Sequence, residues 1–100
     1  MSQAESRQRY GDIIQRFLAE ELDGQAFEQQ FSEFFVDEPP GMPAALHEVL
    51  SALYLEVEAF VADSDLLNAL RTRHPNHHHI DETQLRAVAA AALARLRMLG

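Results

Sequence analysis

The sequence has no cysteine, which excludes a disulfide framework and fits a reducing compartment. Lysine is absent too: the eight cations are Arg7, Arg9, Arg16, Arg71, Arg73, Arg86, Arg95 and Arg97, so no cation falls between Phe17 and Leu70. No apolar run reaches the about 18 residues that a membrane span needs. The polar N-terminus, residues 1–9, offers no hydrophobic core of a signal peptide, so a cytoplasmic location is expected. There is no Gly-x-Ser-x-Gly elbow, no Walker loop and no Gly-x-Gly-x-x-Gly turn, the patterns that position a nucleophile or cradle a phosphate. Glu56 and Glu58 are the nearest thing to an acid/base pair, but two residues on a helix point about 200° apart and do not face one substrate. The expectation is a protein without catalysis and without a cofactor.

What the sequence has is acid. Of its 100 residues, 16 are Asp or Glu, and the net charge is −8. Twelve acids lie in the cation-free stretch from Phe17 to Leu70, leaving the centre at −12 and the two ends together at +4. Such a field repels phosphate backbones, whose affinity for proteins comes from cations that release counterions. It speeds capture of a basic protein. Nucleic acid is therefore not an expected partner, and neither is a membrane. A chain of this length forms one domain, residues 1–100, burying about 60–65 % of its unfolded surface.

Periodicity predicts an all-α fold: an antiparallel four-helix bundle with a short extra helix after helix three. Tyr10, Ile13, Ile14, Phe17 and Leu18 form a first stripe, with Ser6 as its expected N-cap and Asp23-Gly24 as the turn after Leu22. Phe27, Phe31, Phe34 and Phe35 line one face of a second helix over 25–36, capped by Asp23, and read as core. The prolines Pro39, Pro40 and Pro43 with Gly41 break the chain. Leu46, Val49, Leu50, Leu53, Val57, Phe60 and Val61 form the third stripe, and Leu55 points away from it beside Glu48, Glu58, Ala59 and Ala62. Asp63 or Ser64 caps a short helix through Leu70, and residues 71–79 read as a polar loop. Asp81 with Gln84 makes a capping box for a last stripe of Leu85, Val88, Ala89, Ala92, Leu93, Leu96 and Leu99.

His74, His77, His78 and His79 crowd that loop. Their spacing matches neither the His-Glu-x-x-His helix nor a zinc finger, and no cysteine assists. They read as a solvated loop rather than a metal site, able to take up charge near pH 6.

The run Leu53-Tyr54-Leu55-Glu56-Val57-Glu58-Ala59-Phe60-Val61-Ala62-Asp63-Ser64-Asp65 resembles a segment of the colicin D immunity family, the self-protective colicin-like immunity proteins that also serve contact-dependent inhibition systems. The pattern is an apolar-aromatic pair, a Glu two residues before a Phe, then acids. Phe17-Leu18-Ala19 with Ala26-Phe27-Glu28 and Phe31 is similar to the family's first hairpin. Ile80-Asp81-Glu82 with Leu85, Val88 and Leu93 is similar to its final helix. The resemblance implies a four-helix bundle that binds, one to one, the catalytic domain of a tRNA-cleaving toxin, with acids occupying the basic cleft meant for RNA phosphates. Its contact acids correspond to Glu58, Asp63 and Asp65. Glu56, Asp81 and Glu82 join them as acids close in sequence or at the same bundle end, and Leu55 as an exposed apolar contact. The alternatives are an acidic helical interaction module, either a homo-oligomer or an adaptor for a basic protein, and a metal-binding or enzymatic protein using the histidine loop. The proline-rich and histidine loops have no counterpart in the family pattern.

Overall fold

The structure, a computed structural model, describes residues 3–38 and 41–99. Pro39 and Pro40 of the expected helix break lie outside them. Five helices are present: α1 Gln3–Leu18, α2 Gly24–Val36, α3 Ala44–Ala59, α4 Ser64–Arg73 and α5 Glu82–Met98. The fold is all-α, and α1, α2, α3 and α5 form the bundle. Each packs on two others, in the ring order α1, α2, α3, α5.

Long-range bonds fix the antiparallel sense. Gly24 at the start of α2 donates its N–H to Glu82 at the start of α5, and Arg86 of α5 donates to the carbonyl of Phe17 at the end of α1. Just past α3, Phe60 forms a parallel bridge to Ile80, just before α5. The end of α1, the start of α2, the end of α3 and the start of α5 therefore share one end of the bundle. The bridge is the one piece of extended pairing among the described residues, and it closes the segment that carries α4. Val61 N–H donates to Ile80 and Ile80 N–H to Ala59, both at 3.0 Å.

The caps show why the helices begin and end where they do. Asp23, Asp63 and Asp81 cap α2, α4 and α5, each accepting backbone N–H bonds two or three residues on. These bonds satisfy donors that a helix start leaves orphaned. The Asp81–Gln84 capping box forms in full. At the end of α1, Glu21 N–H donates to the carbonyl of Arg16 and Glu20 N–H to that of Phe17, the two hydrogen bonds of a Schellman cap. Glu20 takes the left-handed conformation there, φ 65°, where glycine is the unstrained choice.

The stripes meet as expected, with Tyr10, Ile14, Phe17, Phe27, Phe31, Leu46, Leu50, Val57, Leu85 and Leu96 among the core's fully buried side chains. Phe17 and Phe27 stack with centroids 4.4 Å apart, and Tyr10 meets Phe31 edge-on. Four expectations are corrected. Ser6 lies inside α1, which already runs at Gln3, so it is not the N-cap. Phe34 is 38 % exposed with Arg9 above its ring: its i+7 spacing from Phe27 keeps it on the stripe, but it lies in the last turn of α2, where its ring packs under Arg9 of α1 instead of joining the core cluster. The third helix stops at Ala59 where the bridge takes over, leaving Val61 half-buried. Residues 71–73 continue α4 rather than opening a loop, since nothing before Pro75 interrupts the helical bonds.

Candidate functional site

The ring order sorts the charge. Helices α2 and α3 are neighbours and carry Glu28, Glu33, Glu48, Glu56 and Glu58 without one Arg. Helices α1 and α5, also neighbours, carry Arg7, Arg9, Arg16, Arg86, Arg95 and Arg97. The bundle is acidic along one pair of helices and basic along the other. A cation-free stretch of sequence has become a pair of neighbouring helices that contribute no cation.

Within that face, α2 and α3 leave an open groove of about 680 Å³, lined by Gln25, Glu28, Gln29, Ser32, Glu33, Tyr54, Val57 and Glu58. Burial holds the Glu28 carboxyl above the usual carboxylate range, because desolvation disfavours its charged form. The residues that line the groove include no arginine. Glu33 receives a long bond, 3.4 Å, from Gln29. A hydrogen bond to Glu58, helped by desolvation, raises the Tyr54 hydroxyl pKa.

The candidate residues separate into three groups. Glu58 is exposed at the groove, two residues from Glu56, which turns toward α5 and bonds His78 Nε2 at 2.7 Å. Leu55 stands on the outer surface of α3, 66 % exposed. Asp63 and Asp65 are exposed at the start of α4, Asp63 accepting from the N–H groups of Asp65 and Leu66. Asp81 caps α5. Glu82 has both oxygens engaged inside the protein: Oε1 accepts from Gly24 N–H at 2.6 Å and Oε2 from Arg86 at 3.1 Å. The bundle end thus holds Glu58, Asp63, Asp65, Asp81 and Glu82 together, while Glu56 faces the other side of α3. Glu28 and Glu33 share the groove with Glu58 and were not singled out from the sequence. Their i, i+5 spacing on α2 carries no signal until the position of α3 is known.

The histidine loop is an interaction of its own. His74 and His77 stack at 5.1 Å, and His78 rests on Glu56. Among the described residues, no three of His, Asp and Glu gather to hold a metal ion. No helix there is long and apolar enough to cross a membrane.

With this geometry in view, the comparison with known families is decisive. The bacterial self-protective colicin-like immunity family matches the chain over residues 6–96. The chain belongs to that family. No curated protein and no solved structure matches it. Membership in the immunity family implies a cognate toxin protein as partner, and the match covers α2, α3 and α4 in full and most of α1 and α5.

Proposed function

We propose that this immunity protein binds one to one a basic, tRNA-cleaving nuclease toxin domain in the cytoplasm and neutralises it without chemistry of its own. The carrying observation is the sorting of charge: α2 and α3 present five carboxylates and no arginine on a protein whose family protects against colicin-like toxins. A nuclease must concentrate cations where phosphates bind, so a rigid acidic face competes for the same cleft. Glu58, Asp63 and Asp65 are the proposed contact acids. Glu56 acts from behind them once His78 releases it, and Leu55 supplies apolar contact. Asp81 and Glu82 contribute field while their oxygens hold the helix ends.

The test is co-expression and pull-down with the C-terminal domain of the large protein encoded beside this gene, followed by an RNA-cleavage assay. Binding with loss of cleavage is expected. Affinity should fall with salt mainly through the association rate, and the double reversal Glu58→Lys/Asp63→Lys should weaken it at least about tenfold, on the order of 1.4 kcal/mol. Unchanged binding by that variant would refute the anion-mimic mechanism. A solitary gene together with a homodimer built on the outer face of α3 would favour the interaction-module reading instead.

A further inference from the structure

We infer that a second copy of this chain seats on the α3–α5 groove, forming a two-fold dimer in which Glu56 of each copy pairs with Arg95 of the other. The dimer goes beyond the immunity reading and uses the flank of α3 away from Glu58.

The groove is an open trough of about 200 Å³ between α3 and α5. Its walls are apolar: Val49, Ala52 and Leu53 on α3, Val88, Ala91 and Ala92 on α5. The apolar surface continues along α5, where Ala91 and Ala94 are exposed and Met98 is 85 % exposed. These three fall at i, i+3 and i+7, one face of the helix, and nothing within the bundle covers Met98. Side chains as small as alanine let a second pair of helices approach closely.

Charge names the occupant. The groove holds two charged side chains, Glu56 on α3 and Arg95 on α5. The two helices run antiparallel, so the pair stands at opposite ends of the groove and on opposite walls. Among the described residues Arg95 has no hydrogen-bond or ion-pair partner. Glu56 engages His78 through Oε2, which leaves Oε1 for a guanidinium. A two-fold axis through the middle of the groove exchanges both its ends and its walls. It lays Glu56 on Arg95 of the other copy twice over, with Ala52 against Ala91 and Val49 against Val88. A self-complementary patch of this kind is what an isologous interface requires. The other two grooves lack it. The α2–α3 groove includes no arginine, so two copies would meet acid on acid, and the α1–α5 groove sets Arg7 and Arg97 against Asp12 alone. In the dimer the apolar walls supply the affinity and the ion pairs fix the register. Glu58 lies on the α2 side of α3 and stays open, so each copy still takes one toxin domain.

The experiment follows the full chain, without toxin, by sedimentation equilibrium. The mass is expected to rise from 11.3 kDa to twice that value, with a dissociation constant on the order of 10 µM. Ala91→Glu puts a carboxylate where the copies touch. Ala91 is exposed in the monomer and Glu is a good helix former, so this variant should keep its helical circular dichroism and stay monomeric. Arg95→Glu sets like charges face to face and should weaken the dimer at least about tenfold. Arg95→Glu/Glu56→Arg exchanges the signs and should restore it to within about threefold of the wild type. A wild type still monomeric at about 100 times that dissociation constant, or a dimer indifferent to Ala91→Glu, would overturn the inference. Failure of the charge exchange to restore the dimer would overturn the Glu56–Arg95 pairing. A monomeric wild type that binds toxin would overturn the dimer while leaving the immunity reading standing.

Discussion

Removing the Glu82 carboxylate should destabilise the protein by about 2 kcal/mol without changing its fold. Gly24 is buried at the start of α2, and its N–H is one of the donors that a helix start leaves unpaired. Asp23 serves Ala26, so Glu82 alone serves Gly24, across 58 residues of sequence and at 2.6 Å. In Glu82→Ala that donor has no acceptor, a loss of about 1–3 kcal/mol for a bond to a charged group. The i, i+4 pair with Arg86 adds little, about 0.3–0.5 kcal/mol, because the carboxylate side chain is 44 % exposed and screened. Arg86 keeps its place on the Phe17 carbonyl and ring. A loss of about 2 kcal/mol is a substantial part of the about 5–15 kcal/mol typical of a domain. It should lower Tm by roughly 8–16 °C at this chain length. Urea unfolding should show a lower midpoint with an unchanged slope. Glu82→Gln retains an acceptor and should lose about half as much. Gly24→Ala attacks the same contact from the other side. A Cβ there would lie 2.5 Å from the Phe60 ring and 2.7 Å from Glu82 Oε1. The double variant with Glu82→Ala should cost less than the sum of the two, because the carboxylate no longer obstructs the methyl. Equal stability of Glu82→Ala and wild type, or strict additivity in the cycle, would refute the account.

Three further outcomes are expected. Glu20→Gly should stabilise the protein by about 0.5–1 kcal/mol in urea unfolding, since the left-handed cap at φ 65° then has no Cβ to strain. Tyr10 is fully buried, and burial, then the nearby Glu38 carboxylate, raises its pKa. The folded state therefore resists ionisation that the unfolded chain accepts. The resulting stability is fully present below about pH 10 and declines as pH rises above it. Tyr10→Phe should flatten that alkaline decline while costing about 1 kcal/mol at neutral pH, where the hydroxyl bonds the Phe34 carbonyl at the end of α2. Finally, Glu28 has a raised pKa in the free protein, and a toxin cation beside it would lower it again. Complex formation near the raised Glu28 pKa should then release a proton and weaken as pH falls below it, which calorimetry in buffers of different ionisation enthalpy would measure. Proton uptake would contradict binding through the acidic α2–α3 face.

The sequence by itself determined the features that depend on three or four residues at a time. The stripes of α1, α3 and α5 follow from helical spacing. The Asp23 cap and the Asp81–Gln84 box follow from side chains reaching backbone donors a few positions away. The cation-free centre was equally legible, because charge can be counted without coordinates. Tertiary structure decided what depends on which helix lies beside which. Only the α1–α2–α3–α5 ring sets the two cation-free helices side by side. Only the seat of α2 against α3 brings Glu28 and Glu33 to Glu58 while Glu56, two residues away, turns to His78. Glu82 shows the same limit: as an acid after a cap it reads as free charge, yet its oxygens hold Gly24 and Arg86. Helical periodicity states which side of each cylinder is apolar. It carries no information about rotation and neighbour order, which the packing of Phe17, Phe27, Leu50 and Leu85 sets by excluding water from all four helices together.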